Sequence, residues 1–198
     1  YNFSFTEPYF LSRDVSAGVR VFKSDRSYDN QAGLETTETG LGFNLGFPLS
    51  EDGRLSLFTN FSEDKLINSS TSSSVNPSYT SQKLELGYFY AVDKRNDYID
   101  PTAGWSFSFG QDIAGPMMDV SYLRTRVRAD YYHELAEGYV FHARGKMGII
   151  NDYRSGSINY NDRFFEGGSS FRGFDRSGVG PRQISSGYAL GANRYIVG

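Results

Sequence analysis

Apolar and polar side chains alternate with a period of two along almost the whole chain. Phe3 and Phe5 lie on one face, with Asn2, Ser4 and Thr6 on the other. Val15, Ala17, Val19 and Val21 oppose Ser16, Gly18 and Arg20. Leu41, Phe43, Leu45 and Phe47 alternate with Gly40, Gly42, Asn44 and Gly46, and the same rhythm recurs at Leu55–Phe61, Leu84–Tyr90 and Trp105–Phe109. A period of two places one apolar and one polar face on each segment, which is the signature of β-strands. The pattern predicts about nine strands, starting near residues 2, 14, 38, 54, 80, 103, 118, 138 and 186, and no helical periodicity.

The connections predict an architecture. Four are short: Leu11–Asp14, Ser50–Gly53, Asp100–Gly104 and Leu135–Gly138. The others are longer and polar, roughly Ser24–Glu38, Asp64–Ser78, Gln111–Met117 and Asn151–Ser185, with a serine-rich run at Asn68–Ser74. Strict alternation of short and long loops fits an antiparallel up-and-down transmembrane β-barrel with tight turns at one end. Bacterial single-chain barrels have even strand numbers, and an odd open set leaves edges that lipid does not tolerate. The expectation is therefore a partial barrel, residues 1–198, belonging to a longer protein and unable to fold stably in lipid by itself.

Composition sharpens the class. The 198 residues include 15 Tyr, 16 Phe and 22 Gly, with 16% aromatics and a mean hydropathy of −0.48. Abundant aromatics with low mean hydropathy suit a wall that faces lipid on one side and a polar lumen on the other. No apolar run reaches the length of a helical span. The net charge of −3 provides no field for nucleic acid. The absence of cysteine removes disulfides, thiolate metal sites and cysteine nucleophiles.

The segment 118–147 carries a concentrated charge pattern. Leu123, Thr125, Val127, Ala129 and Tyr131 share one face, and Arg124, Arg126, Arg128 and Asp130 the other. The next segment sets Tyr139, Phe141, Ala143 and Met147 against His142, Arg144 and Lys146. An Arg or Lys facing lipid at the bilayer midplane costs roughly 2–4 kcal/mol, so Arg124, Arg126, Arg128, Arg144 and Lys146 are expected in the lumen. Such a stripe is a solvated wall, a receiving surface for an acidic or backbone-rich loop, or an anion or lipopolysaccharide contact near the rim.

The candidate occupant is the glycine-rich loop at 151–185. Its segment Phe165–Phe174 continues to Gly178-Val179-Gly180-Pro181, with Arg172 set between Phe171 and Phe174. Five glycines permit tight reversals that a β-carbon would block, so the loop is expected to fold back and dock. Enzyme motifs are weak by comparison. His133 and His142 are the only neutral-pH bases, and Gly168-Ser169-Ser170 lacks the closing glycine of a nucleophile elbow, so its serines read as turn formers. Asp93, Asp97 and Asp100 crowd a strand end, but Lys94 and Arg95 intervene, which favours a solvated terminus over a cation site. No catalytic residue, metal site or cofactor is expected.

Gly167-Gly168-Ser169-Ser170-Phe171-Arg172-Gly173-Phe174 resembles the sixth-loop signature of the BamA family of outer-membrane barrel proteins, with Phe171 where Val is common. Gly180-Pro181 matches the Gly-Pro that follows it. Glu7-Pro8-Tyr9-Phe10, Leu45–Leu49 and Asp100–Gly104 also resemble family segments. The resemblance implies strands four to twelve of a sixteen-strand barrel in the bacterial outer membrane, with periplasmic POTRA repeats and terminal strands outside this sequence. It further implies a non-enzymatic insertase that acts on unfolded outer-membrane proteins amid lipid, with accessory lipoproteins engaged through the POTRA region. A two-partner secretion or TamA-like pore is the alternative. In the family the motif arginine enters the lumen and pairs with acidic residues on later strands. Arg172 holds that position, as a loop staple or a substrate contact; within this sequence only Asp130 or Glu85 is available as its partner.

Overall fold

The computed structural model describes residues 1–28, 34–68, 78–115, 118–154, 158–184 and 187–198. Its nine strands are β1 (Asn2–Glu7), β2 (Ser16–Tyr28), β3 (Leu34–Pro48), β4 (Gly53–Asn68), β5 (Tyr79–Asp93), β6 (Gly104–Ala114), β7 (Tyr122–Ala136), β8 (Tyr139–Asn151) and β9 (Arg194–Val197). They form one sheet in chain order, each strand antiparallel to its neighbours. The all-β, up-and-down reading of the alternation is what the chain adopts. Single 3-10 turns at Phe10–Ser12 and Tyr160–Asp162 are the helical exceptions among the described residues.

Three expectations change. Within the polar stretches 24–38 and 64–78, residues 24–28, 34–38 and 64–68 are strand: Ser24, Asp25 and Arg26 pair with Glu38, Thr37 and Thr36, while Asp64 and Lys65 pair with Ser81 and Thr80. Polar side chains do not end a ladder that satisfies their backbone groups. At about 3.4 Å per residue β3 is roughly 50 Å long, well beyond the roughly 25 Å apolar band of a membrane barrel even after a tilt of about 40°. The strands therefore continue past the lipid, and residues 69–74 of the serine run lie outside the described residues.

Second, the connection expected as a short turn at Asp100–Gly104 is longer: β5 ends at Asp93 and β6 begins at Gly104, with residues 94–103 between them. Third, β9 starts at Arg194 rather than near 186. Residues 187–193 instead pair with the loop's own limbs, through bridges Arg182↔Ala189 and Phe164↔Ala192. The loop accordingly spans 152–193.

One face of the sheet is lined by exposed apolar residues, including Phe3, Phe5, Val19, Val21, Phe43, Leu57, Phe61, Leu86, Trp105, Tyr131 and Phe141. The opposite face carries the buried polar groups Ser62, Asp64, Lys83, Glu85, Asp112 and Asp130. The loop lies over that polar face. On it, aromatic rings sit directly across from glycines: Phe22 opposite Gly40, Phe58 opposite Gly87, and Phe89 opposite Gly110. A β-carbon at Gly40 would stand 2.6 Å from the Phe22 ring, so these glycines let the rings lie flat on the wall.

Candidate functional site

The register brings Arg124, Arg126, Arg128 and Asp130 of β7 beside His142, Arg144 and Lys146 of β8. Asp130 faces Arg144 directly across the ladder. It accepts from Arg144 Nε at 2.6 Å and Arg128 Nε at 2.7 Å, with His142 Nε2 at 3.0 Å. His142 also stacks on Tyr132, 4.3 Å between centroids. Higher on the wall, Arg124 donates to Asp112 at 3.0 Å and to Glu85 at 3.0 Å, and Arg126 reaches Asp112 at 2.9 Å. Ala114 separates Glu85 from Tyr122 in one row, and its small side chain lets the Tyr122 hydroxyl donate to Glu85. The wall thus neutralises most of its own charge. Lys146 differs: its Nζ donates to the Ser170 carbonyl of the loop at 3.1 Å.

The loop's signature segment is a compact turn. The Gly168 amide donates to the Phe174 carbonyl at 2.9 Å, and the Ser170 hydroxyl bonds both the amide and the carbonyl of Gly167 at 3.0 Å. Phe171 and Phe174 stack at 5.1 Å. Gly167 and Gly173 have φ of 135° and 90°, values that side chains rarely adopt. The Val179 amide donates to the Glu166 carbonyl at 3.1 Å, closing the turn before Gly180 (φ 128°) and Pro181. Arg172 is exposed at the tip. Asp130 and Glu85 are engaged by the wall's own groups, and neither pairs with it.

The attachment lies upstream, in residues that the sequence reading did not single out. Lys83 Nζ stands 2.8 Å from Asp162 of the loop and 3.0 Å from Asp64 of β4. The three side chains are 6%, 1% and 1% exposed, so the triad is dry. Tyr122 donates to Asp162 at 3.4 Å, and Asn159 donates to Ser81 at 2.8 Å. Apolar packing flanks the charges. Tyr160 packs with Leu66, Tyr79 and Phe165. Ile158 joins Ala114, Val120, Tyr122 and Ile150, with Phe164 against them. Phe164 meets Tyr195 edge-on at 4.8 Å over Gly148, where a β-carbon would strike both rings. Arg163 ties the two limbs together, donating to the carbonyls of Ile158 at 3.2 Å and Leu190 at 3.0 Å.

The other candidate chemistry resolves into structure. Arg95 binds Asp93 through two nitrogens, at 2.7 and 2.5 Å. Asp97 accepts from the amides of Asp100 and Ile99 at 2.9 and 2.7 Å, which holds its carboxyl below the ordinary carboxylate range. His133 stacks beside Tyr131 on the apolar face.

An open antiparallel sheet with a lipid-type outer face and a long loop strapped over its polar face defines a class of membrane barrel. Residues 1–198 match the Omp85 superfamily domain throughout, and the chain belongs to that superfamily; it is an outer-membrane β-barrel chain of the BamA type. It is 27% identical over 202 residues to outer membrane protein assembly factor BamA of Neorickettsia risticii (strain Illinois), covering all of this chain and 27% of the relative. A second BamA, from Neisseria meningitidis serogroup B (strain ATCC BAA-335 / MC58), is 23% identical over 205 residues, covering 90% of this chain and 25% of the relative. The chain thus spans about a quarter of the length of these relatives. Its fold superposes on the crystal structure of BamA from Haemophilus ducreyi lacking POTRA domains 1–3 with a TM-score of 0.87 and 23% identity, covering 98% of this chain and 43% of that one.

Proposed function

We propose that the protein assembles other β-barrels into the bacterial outer membrane without chemistry, by offering an edge against which a client's strands pair. Pairing satisfies the client's backbone groups before they meet lipid, and that lowers the barrier to insertion. The clients are unfolded outer-membrane proteins, and the outer-membrane lipids and accessory lipoproteins are the remaining partners. One observation carries this reading: the glycine-rich loop is strapped across the polar face of the sheet. A plain diffusion porin keeps a water-filled lumen, whereas this loop seats dry charges and apolar side chains against the wall. The motif from Gly167 to Phe174, with Gly180 and Pro181, is the working end of the strap, and Lys146 steadies it.

The test is depletion of the full-length protein in its own organism, with quantification of the whole outer-membrane proteome. Broad loss of unrelated barrels, rescued by wild type and poorly by Arg172→Ala, is the expected result. Loss of one secreted client with other barrels intact would instead mark a dedicated two-partner secretion or TamA-like pore.

A further inference from the structure

We infer that Asp162 is a positioning residue that latches the root of the loop to the β4–β5 wall through Lys83, and so sets where the Arg172 tip stands. The inference rests on the proposed function only for the consequence of the latch, not for its existence. Asp162 is the one loop carboxylate that meets a buried wall cation among the described residues. Lys83 is shared: its ammonium lies between Asp64 of the wall and Asp162 of the loop, both 1% exposed at the side chain. Asp64 alone would satisfy Lys83, so the second carboxylate is not required to neutralise the wall. Its effect is to hold the loop. Asp64 Oδ1 and Asp162 Oδ2 take no hydrogen bond from a described residue, so the shared ammonium is the main compensation for two dry charges. Removing Lys83 would leave both carboxylates uncompensated, which is strongly unfavourable, whereas neutralising Asp162 leaves Lys83 paired with Asp64 and takes away the loop's ionic contact with the wall.

The geometry makes the latch directional. Asp162 lies in the 3-10 turn Tyr160–Asp162, whose tyrosine packs on Leu66 and whose following Arg163 clamps both limbs. Four residues later the chain enters the signature turn at Gly167. A root fixed by charge, packing and clamp leaves the tip few ways to move as a body. A root freed of its charge lets the whole loop lift from the wall, and the tip with it.

The test uses the full-length protein in its outer membrane, freed of other cysteines, with Ile150→Cys as reporter. Ile150 of the β8 wall is 1% exposed and shares an apolar cluster with Ile158 of the loop, so a hydrophilic maleimide reaches position 150 when the loop lifts from the wall. Asp162→Asn preserves shape and leaves Lys83 paired one-to-one with Asp64; it is expected to raise the labelling rate about tenfold or more, as loss of one charge-assisted hydrogen bond between loop and wall implies. Asp162→Lys and Lys83→Asp each do the same or more. The double variant Asp162→Lys/Lys83→Asp restores one lysine between two carboxylates and is expected to return labelling to within about threefold of the parent. Parental labelling in Asp162→Asn would overturn the latch, as would a folded double variant that stays open. Loss of the heat-modifiable folded form in Asp162→Asn itself would assign Asp162 to the wall's stability, and overturn it equally. Client barrels are quantified in the same strains. Normal client levels with an open loop would sink the functional reading and leave the latch standing.

Discussion

The root and the tip of one loop are built on opposite principles. Residues 158–166 are held by dry charge and apolar contact: Ile158, Tyr160 and Asp162 are 8%, 3% and 2% exposed. Residues 167–180 are held by their own turns and, on the wall, by a single hydrogen bond from Lys146 among the described residues. Phe174 is 51% exposed and Arg172 stands in the open. The segment with the recognisable motif is therefore not the one that binds this part of the barrel. Shape memory within the tip comes from glycine geometry, whereas placement of the tip comes from the root.

The largest test of that division is Lys83→Met. It strands Asp64 and Asp162 together in a dry site, where breaking a buried pair costs about 3–5 kcal/mol. The expected outcome is a sharply lower urea midpoint for the heat-modifiable form in reconstituted vesicles. Suppression by Asp64→Asn/Asp162→Asn should follow, since it removes both stranded charges. Lys146→Met, which severs the tip's bond instead, should cost about 1 kcal/mol or less; equal losses in the two variants would erase the distinction between root and tip.

Tyr160→Ala comes next. The ring fills the space between Leu66 and Phe165, its centroid 4.8 Å from that of Phe165. Truncating a buried aromatic removes roughly 3 kcal/mol or more. The loop should then become cleavable by protease while the strands, read by circular dichroism, persist.

How much of this was legible in the sequence follows from what a period of two encodes. Alternation assigns a face, and the lipid penalty assigns a side, so Arg124, Arg126, Arg128, Arg144 and Lys146 are expected together on the polar side, and the register sets them on neighbouring strands. The same argument covers Lys83 and Asp64, which also sit on polar faces, but alternation carries no register. That Asp64 pairs with Ser81, and so stands diagonal to Lys83, is a long-range fact with no local signal. Asp162 was harder still, because a loop has no period and its neighbours Asn159, Asn161 and Arg163 read as solvated polarity. The end of the loop was misjudged for a related reason: residues 187–193 alternate like a strand, and the choice between pairing with β8 or with the loop's own limb is settled by tertiary contact. The loop glycines were the exception, since Gly167 and Gly173 take φ of 135° and 90° at reversals, whereas Gly40, Gly87 and Gly110 lie within strands opposite aromatic rings.

Gly173→Ala probes that reversal. No heavy atom stands within 4 Å of the β-carbon site, so the substitution meets no clash and tests conformation alone. Forcing a side chain into this region costs on the order of 1–2 kcal/mol. Because the tip is attached weakly, the strain is expected to open the Gly168–Phe174 turn rather than lower barrel stability. Faster exchange of the Gly168 amide with unchanged exchange at Phe164 would show it; matched changes at both would mean that root and tip unfold as one unit.

Arg172→Ala carries the smallest effect on the fold and the sharpest consequence. An exposed side chain without an ion pair among the described residues is expected to change stability by no more than about 0.5 kcal/mol, measured by the same urea midpoint. If assembly of client barrels nevertheless falls in that variant, the arginine acts through contacts beyond these strands, or during the working cycle, and not as a staple of this wall. If stability falls by several kcal/mol in the full-length protein, Arg172 is paired there with a buried carboxylate outside residues 1–198, since one buried partner accounts for a loss of that size. In that event the tip has an anchor of its own, and the contrast with the root would describe the nine strands alone.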